Sequence, residues 1–154
     1  MTDIREARND DRAKILMLAR AAGLFTADEL PHLAASFDAS PPGDPDATQR
    51  WLVVDGGAGA AMLGPEEMSD NVWNLLFLAV HPDRRRGGVA SALLASAESL
   101  AAGSGGRTML IDTTGLPDQA AARACYAARG YACQAVIPDY YGEGADRVTF
   151  LRRL

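Results

Sequence analysis

The chain has 154 residues, a length typical of one domain that buries its own core. Hydrophobic residues make up 48% of the sequence and charged residues 23%, a balance that excludes a chain disordered throughout. The net charge of −5 argues against polyanionic partners, so we expect binding neither to nucleic acid nor to an anionic membrane. We therefore predict a single domain over residues 1–154.

Targeting, redox and metal signals are weak in this sequence. No apolar segment is long enough to span a membrane, and residues 1–5 lack the core of a signal peptide, so we expect a cytoplasmic protein. The two cysteines, Cys125 and Cys133, are too few for a disulfide framework and lack the spacing of metal ligands. We accordingly predict no metal site.

The first half of the chain predicts a strand, two helices and a hairpin. The signals are alternation of polar and apolar side chains, helix N-caps and turn residues. They predict a strand at 2–7, a helix from an N-cap at 9–11 to Ala22, a second helix that begins with a capping box at 26–29, a surface loop at 40–46, and a hairpin of 51–54 with 58–63.

The second half predicts alternating strands and helices. Around a central βαβ unit, this order is typical of an α/β domain with three layers. The predicted elements are a strand at 72–80, a helix at 89–102, a strand at 108–112, a helix at 119–129, and a hairpin of 131–137 with 147–151.

Residues 84–88, Arg-Arg-Arg-Gly-Gly, connect the predicted strand at 72–80 to the predicted helix at 89–102. Free backbone amides and the positive end of the helix dipole attract phosphate at such a junction, and the arginines add charge-assisted contacts. A Walker loop would need a lysine after these glycines, and the glycines at 103–106 follow a helix instead of opening one. An ordinary solvated turn is the alternative interpretation.

Two motifs together resemble those of the GNAT acetyltransferases. The run 85–90, Arg-x-x-Gly-x-Ala, resembles the pyrophosphate loop of that family. The run 119–131, Gln-x-x-Ala-x-x-x-Tyr-x-x-x-Gly-Tyr, resembles its second signature, with Gln119 where the family has asparagine. Residues 110–113 correspond to the strand that splays away from its neighbour in the family. The resemblance covers residues 72–154.

The resemblance implies a GNAT-like α/β fold, in which a mixed, mostly antiparallel central sheet with splayed middle strands is flanked by helices. It implies acetyl-CoA as the co-substrate, which enters the gap between those strands from one face while the acceptor enters from the other. The residues implied to bind the cofactor are Leu78, Ala79, Val80, Arg85, Arg86, Gly87, Gly88, Val89, Ala90 and Gln119.

The resemblance assigns Tyr126 the role of protonating the leaving thiolate. The unperturbed pKa of tyrosine, about 10, lies above that of a thiol, so the donation is favourable. A tyrosine that packs in the core is the alternative. The resemblance also implies a bulge in residues 77–79, where a backbone N–H would polarise the thioester carbonyl.

Asp112, at the end of the predicted strand 108–112, is a candidate for the base that takes the proton of the amine. A carboxylate with a pKa of about 4 does this poorly unless it is desolvated or acts through water. An aspartate that caps the following loop is an equal alternative. Of the two histidines, we expect His81 near solvent or the edge of the cofactor and His32 on the surface.

Tyr140 and Tyr141 lie in a predicted loop at 139–146 that is rich in turn residues. Paired tyrosines at this place resemble protein N-terminal acetyltransferases, so the resemblance implies that they bind the acceptor. The acidic residues of the loop suit a cationic acceptor. Tyrosines that only cover a sheet edge are the alternative.

We therefore predict an acetyl-CoA-dependent N-acetyltransferase that transfers an acetyl group directly to a primary amine of a small molecule or a peptide. A covalent intermediate on Cys125 is not expected, because no histidine lies near it in the sequence. A protein N-terminal acetyltransferase of the ribosomal-protein type and a non-catalytic acyl-CoA-binding domain stay open as alternatives. Dimers are frequent in the resembled family, so a homodimer is a further expectation.

Overall fold

A computed structural model describes residues 2–154. Within them lie seven strands: β1 Ile4–Glu6, β2 Arg50–Val54, β3 Gly59–Pro65, β4 Val72–Val80, β5 Thr108–Thr114, β6 Ala132–Gly142 and β7 Ala145–Arg153. Four α-helices accompany them: α1 Arg12–Ala21, α2 Leu30–Ala39, α3 Val89–Gly103 and α4 Ala120–Ala128. Among these residues, no helix combines the length and the apolar character that crossing a bilayer requires.

The strands form one mixed sheet in the order β1-β2-β3-β4-β5-β7-β6. Only β4 and β5 pair in parallel, since α3 connects them as a crossover, and the other five strand pairs are antiparallel. The predicted α/β class with a mostly antiparallel sheet is confirmed.

The two middle strands part along their length. β4 pairs with β5 only where residues 72–75 face residues 108–111, and β4 then continues to Val80 without that neighbour. A bulge coincides with the parting, because Leu75 faces Leu63 of β3 while Phe77 faces the preceding residue, Met62. The bulged residue is thus Leu76, one position before the predicted run 77–79.

Helices cover the two faces of the sheet unequally. α3 packs on one face over an apolar cluster that also includes Tyr126 of α4, and α1 with α2 pack on the other face over β3 and β4. Met109 and Ile111 of β5 are buried in the first cluster, so the intervening Leu110 and Asp112 point the other way. We call this second side of β5 and β7 the open face.

The sequence misplaced several element ends. Asp139 accepts a hydrogen bond from the Gly144 N–H (2.8 Å), while its own N–H donates to Asp146 (3.1 Å). These bonds close a hairpin, so β6 runs on to Gly142 through residues that were predicted as a loop. β5 likewise extends to Thr114, which places Asp112 inside the strand and not at its end.

Two helices begin later than predicted. Residues 26–29 form a turn in which the Glu29 N–H donates to the Thr26 carbonyl (3.1 Å), and α2 starts only at Leu30, with Pro31 in its first turn. α4 begins at Ala120, because Gln119 closes a short 3₁₀ turn and serves as the N-cap.

Candidate active site

The loop between β4 and α3 presents unpaired backbone amides. Gly88 is the N-cap of α3, with φ of +81°, and Arg86 also has a positive φ, +64°. The Ala92 N–H donates to the Gly88 carbonyl (3.0 Å), so the amides at 89–91 precede the first intrahelical bond. A helix of 15 residues adds the positive end of its dipole at this point. The predicted junction of a loop with a helix N-terminus is thus present, and anion binding there stays a prediction.

Arg85 links this loop to the opposite helical layer. Its guanidinium donates a hydrogen bond to the carbonyl of Ala22 (3.0 Å), the C-cap residue of α1. A cation at the C-terminal end of a helix satisfies a free carbonyl and opposes the helix dipole. The Arg85 side chain therefore holds the end of α1 beside the loop at 81–88 that was predicted to bind phosphate, an arrangement that the sequence did not indicate.

The parting of β4 from β5 leaves an edge of backbone facing a gap. Residues 77–80 of β4 pair with β3 on one side only, at Ala79 with Ala60 for example. Leu78 and Val80 are partly buried against the apolar cluster beneath α3. Free N–H and C=O groups along a strand edge can bind an extended chain that contains amides.

Tyr126 lies in the last turn of α4 and is 6% exposed. Its ring contacts Phe150 and Tyr131, with centroids 5.8 and 6.3 Å away. The neighbouring Cys125 Sγ lies 4.0 Å from Ser91 Oγ, so α4 packs beside the first turn of α3. Burial, assisted by the Cys125 thiol, raises the pKa of Tyr126 to about 12. The hydroxyl is accordingly protonated at neutral pH and can act as an acid.

A buried carboxylate anchors the helix that carries Tyr126. Glu98 of α3, 8% exposed, accepts hydrogen bonds from Arg129 (2.8 Å), Arg152 (2.8 Å) and the Tyr131 hydroxyl (3.2 Å). These bonds join α3, the end of α4 and β7. Sequence reasoning missed this cluster, although a signal existed: Glu98 is the only charged residue of α3.

Asp112 lies on the open face in a dense set of hydrogen bonds. Its carboxylate accepts from Arg147 Nε (3.0 Å) and Nη2 (2.9 Å) and from the Thr149 hydroxyl (2.6 Å). Burial opposes ionisation of Asp112, but the bonds from Arg147 and Thr149 outweigh it and hold its pKa below the usual value. A carboxylate held in this way is a weaker base than the one that the sequence suggested.

Asn74 of β4 extends this arrangement to a second carboxylate. Its Nδ2 donates to Glu66 Oε1 (2.5 Å) and to Asp112 Oδ2 (3.4 Å). Neither residue was predicted as functional, although a lone polar residue in the apolar run Val-Trp-Asn-Leu-Leu-Phe was a signal. We call Glu66, Asn74, Asp112, Arg147 and Thr149 the polar cluster.

Tyr140 and Tyr141 lie beside the polar cluster. Their rings meet edge to face at 4.9 Å, and Arg147 Cζ lies 4.9 Å from the centre of the Tyr140 ring. Burial and the charge of Asp112 raise the pKa of Tyr141. About half of each tyrosine is exposed. The structure thus brings three predicted site residues, Asp112, Tyr140 and Tyr141, to one place on the open face.

Other predicted residues lie apart from the polar cluster. Gln119 is half-buried at the start of α4, His32 is exposed on α2, and His81 begins the phosphate-binding loop, where its Nδ1 accepts from the Asp83 N–H (3.2 Å). Neither histidine hydrogen-bonds to the polar cluster within residues 2–154. The cysteines are free, Cys125 half-buried and Cys133 exposed.

Solved structures share this fold across nearly the whole chain. A candidate GNAT-family acetyltransferase from Desulfovibrio desulfuricans superposes with a TM-score of 0.92 at 24% identity, covering 99% of both chains. An aminoglycoside 6′-N-acetyltransferase in complex with coenzyme A gives a TM-score of 0.79 at 18% identity, covering 98% of this chain and 96% of that one. At these identities the likeness shows the fold.

The ribosomal-protein-S18-alanine N-acetyltransferase of Escherichia coli gives a TM-score of 0.76 at 20% identity, covering 99% of this chain and 94% of that one. No curated protein matches the sequence significantly. The model of the Acetyltransferase (GNAT) family matches residues 15–131, more than half of the chain. The protein therefore belongs to the GNAT family and is an enzyme of the acetyltransferase class.

Proposed function

We propose that this enzyme transfers the acetyl group of acetyl-CoA directly to a primary amine of a small molecule or a peptide. One observation carries the proposal. Tyr126 shares an apolar cluster with Leu78 and Val80, which line the gap that begins beside the phosphate-binding loop. Three features therefore lie along one path: an anion site, an edge of free backbone amides and a protonated hydroxyl. Acyl transfer from a thioester whose carrier has phosphate groups requires all three.

The residues of this path fit acetyl-CoA in their chemistry. The diphosphate would be held by the amides of Gly87 to Ala90, with Arg86 at the rim and Gln119 at the start of the neighbouring helix. The amide-containing arm would lie along the edge of residues 78–80. A Cβ at Gly88 would meet no atom within 4 Å, so the loop is open at the point where the phosphate would lie. When bound, the cofactor supplies an activated thioester.

Three groups of the chain would carry the transfer. A backbone N–H beside the bulge at Leu76 polarises the thioester carbonyl, and Tyr126 donates its proton to the departing thiolate. Asp112 has a lowered pKa and is bound by Arg147. We therefore assign Asp112 to the positioning of the acceptor and not to direct proton abstraction, and the amine loses its proton to water.

The acceptor would approach from the open face, where Tyr140 and Tyr141 form one wall. The exposed pair also supports a second candidate acceptor, the N-terminal amine of a protein. The Escherichia coli neighbour acts on the alanine of a ribosomal protein, and another neighbour acts on aminoglycosides. Small amines and peptide amines therefore both belong in the first substrate screen.

Calorimetric titration with acetyl-CoA tests the cofactor site. Gly88→Asp introduces a carboxylate at the proposed phosphate position, and we expect it to weaken binding more than tenfold. Gly43→Asp is the matched control, because Gly43 also has a positive φ, +83°, and open space around its Cβ, but lies in the surface loop before β2. The control should bind like the wild type.

Release of free thiol in the presence of small amines and of alanine-terminated peptides then tests the transfer itself. Acetyl-CoA binding without thiol release by any amine would favour a non-catalytic acyl-CoA-binding domain. Absence of acetyl-CoA binding by the folded wild type, or equal binding by both glycine variants, would contradict the proposed site.

A further inference from the structure

The polar cluster contains a carboxylate that the proposed mechanism does not use. Glu66 directly follows β3, and its N–H donates to the Val72 carbonyl (2.7 Å), which fixes the turn into β4. Its side chain is half-buried and accepts the hydrogen bond of Asn74. It therefore lies on the same side of β4 as Asp112, at the point where β4 and β5 are about to part.

The two carboxylates of the cluster differ in their charge balance. Asp112 is neutralised by Arg147 at 2.9 Å. No lysine, arginine or histidine within residues 2–154 forms a salt bridge with Glu66, whose side-chain partner is the neutral amide of Asn74. The polar cluster therefore keeps one uncompensated negative charge, and a half-buried negative charge attracts a cation.

Asn74 adds an independent observation. The residue is 6% exposed, and its Oδ1 atom is buried without a hydrogen-bond partner in residues 2–154. Its Nδ2 donates to both carboxylates, and Oδ1 belongs to the same amide group at the border of the cluster. Buried polar atoms in folded proteins nearly always have partners, and an acceptor left free here calls for a donor. An ammonium group offers three donors and a guanidinium five.

The position of Asn74 on β4 determines its distance from the place where the acetyl group would be transferred. A strand advances about 3.4 Å per residue, so Asn74 lies roughly 7–13 Å from the bulge and the edge at residues 76–78. We propose that Glu66 and Asn74 bind a second cationic group of the acceptor, and that the enzyme prefers diamine-like substrates over monoamines. The inference rests on the proposed function, because it takes the transferred amine to lie beside the bulge.

The test compares hexamethylenediamine with hexylamine, which has the same carbon chain and one nitrogen fewer. In the wild type we expect kcat/KM to be at least tenfold higher for the diamine. Glu66→Gln keeps an oxygen that can accept from Asn74 but removes the charge, and it should lower kcat/KM for the diamine about tenfold while leaving hexylamine within about twofold. Glu67→Gln, at the exposed neighbouring residue, should behave like the wild type.

Titration of both amines into the protein saturated with coenzyme A measures acceptor binding without turnover. Tighter binding of the diamine, lost in Glu66→Gln and kept in Glu67→Gln, supports the inference. Equal binding of the two amines, or equal behaviour of the two glutamine variants, overturns it. Turnover of hexylamine without preference for the diamine would leave the proposed function intact, whereas cation binding at Glu66 without acetylation of any amine would overturn the function alone.

Discussion

The two sides of the sheet around β5 are stabilised by different forces. Toward α3, residues such as Met109 and Ile111 are buried in a continuous apolar cluster. Toward the open face, Asp112 is held by Arg147 and Thr149 through charged hydrogen bonds. Apolar burial is tolerant of geometry, whereas charged hydrogen bonds require defined partners at defined distances. The side that would hold the cofactor therefore depends on apolar packing, whereas the open face depends on particular pairs of polar side chains.

The two sides also differ in how the chain builds them. The loop proposed to bind phosphate and the start of α3 are one contiguous segment, residues 81–91. The polar cluster instead joins β3, β4, β5 and β7, and Asp112 lies 35 residues from Arg147 and 38 from Asn74. Substitutions on the side of α3 should therefore affect catalysis and cofactor binding. Substitutions on the open face should affect acceptor recognition and local stability.

The largest effect should come from Tyr126→Phe. Loss of a general acid costs about 10²- to 10⁴-fold in rate, so we expect kcat/KM to fall at least 100-fold, which corresponds to about 2.7 kcal/mol. The ring of Tyr126 packs on Tyr131 and Phe150, and its hydroxyl makes no hydrogen bond within residues 2–154, so the acetyl-CoA dissociation constant should change less than about twofold. Steady-state kinetics and calorimetric titration measure the two quantities.

Tyr131→Phe is the matched control for this variant. Tyr131 is also a buried tyrosine of the same apolar cluster, but its hydroxyl donates to Glu98. We expect Tyr131→Phe to lower the free energy of unfolding by about 1 kcal/mol and to leave most of the activity. Activity in Tyr126→Phe equal to that of Tyr131→Phe would exclude Tyr126 as the acid.

The second effect concerns the stability of the open face. Arg147→Gln leaves the carboxylate of Asp112 without its cation. Wholly buried pairs lose about 3–5 kcal/mol when one partner is removed, and the Asp112 and Arg147 side chains are 17% and 27% exposed, so we expect a loss of about 2 kcal/mol. Urea unfolding measures it. Arg153→Gln, at the exposed end of the same strand, should change stability by less than about 0.5 kcal/mol.

The pH dependence of this difference has a defined sign. The pKa of Asp112 is lowered in the folded state, so its contribution is complete above the unfolded value of about 3.9 and is lost as the pH falls below that value. The difference in the free energy of unfolding between the wild type and Arg147→Gln should be constant between about pH 5 and 8 and become smaller below about pH 4. If this difference stayed constant below about pH 4, Asp112 would not account for the stability of the pair.

The sequence predicted the contiguous parts of the molecule well. Apolar periodicity located every strand and helix, and two motifs of local residue order identified the loop at 81–88 and the helix of Tyr126. The errors lay at the ends of strands and helices, where hydrogen bonds of side chains determine how far each element extends. Asp139 and Asp146 extend β6 through hydrogen bonds across the hairpin, a pairing that local turn propensity does not reveal.

The parts that the sequence did not predict depend on long-range pairing. The partners of Glu98 and of Glu66 come from other strands and helices, and only the folded chain brings them together. Asp112 illustrates the same limit of prediction from the sequence. It was predicted as a site residue, but its bond to Arg147, which makes it a weak base, follows from the register of β5 with β7.

The smallest effect concerns the hydrogen bond that joins the loop between β4 and α3 to the other helical layer. Arg85→Ala removes the hydrogen bond to the Ala22 carbonyl. The bond is exposed, so the free energy of unfolding should fall by no more than about 1 kcal/mol. Hydrogen exchange of the amides just after α1 should nevertheless become faster, because the end of that helix loses its tie to the loop.

Arg86→Ala provides the control, since Arg86 is equally exposed in the same loop and makes no side-chain hydrogen bond to α1 within residues 2–154. Faster exchange in Arg85→Ala alone would mean that the loop that binds the cofactor also orders the helices that face the acceptor. Binding of acetyl-CoA should then slow exchange at the end of α1 in the wild type but not in Arg85→Ala. Equal exchange in both variants would show instead that the two sides of the sheet act independently.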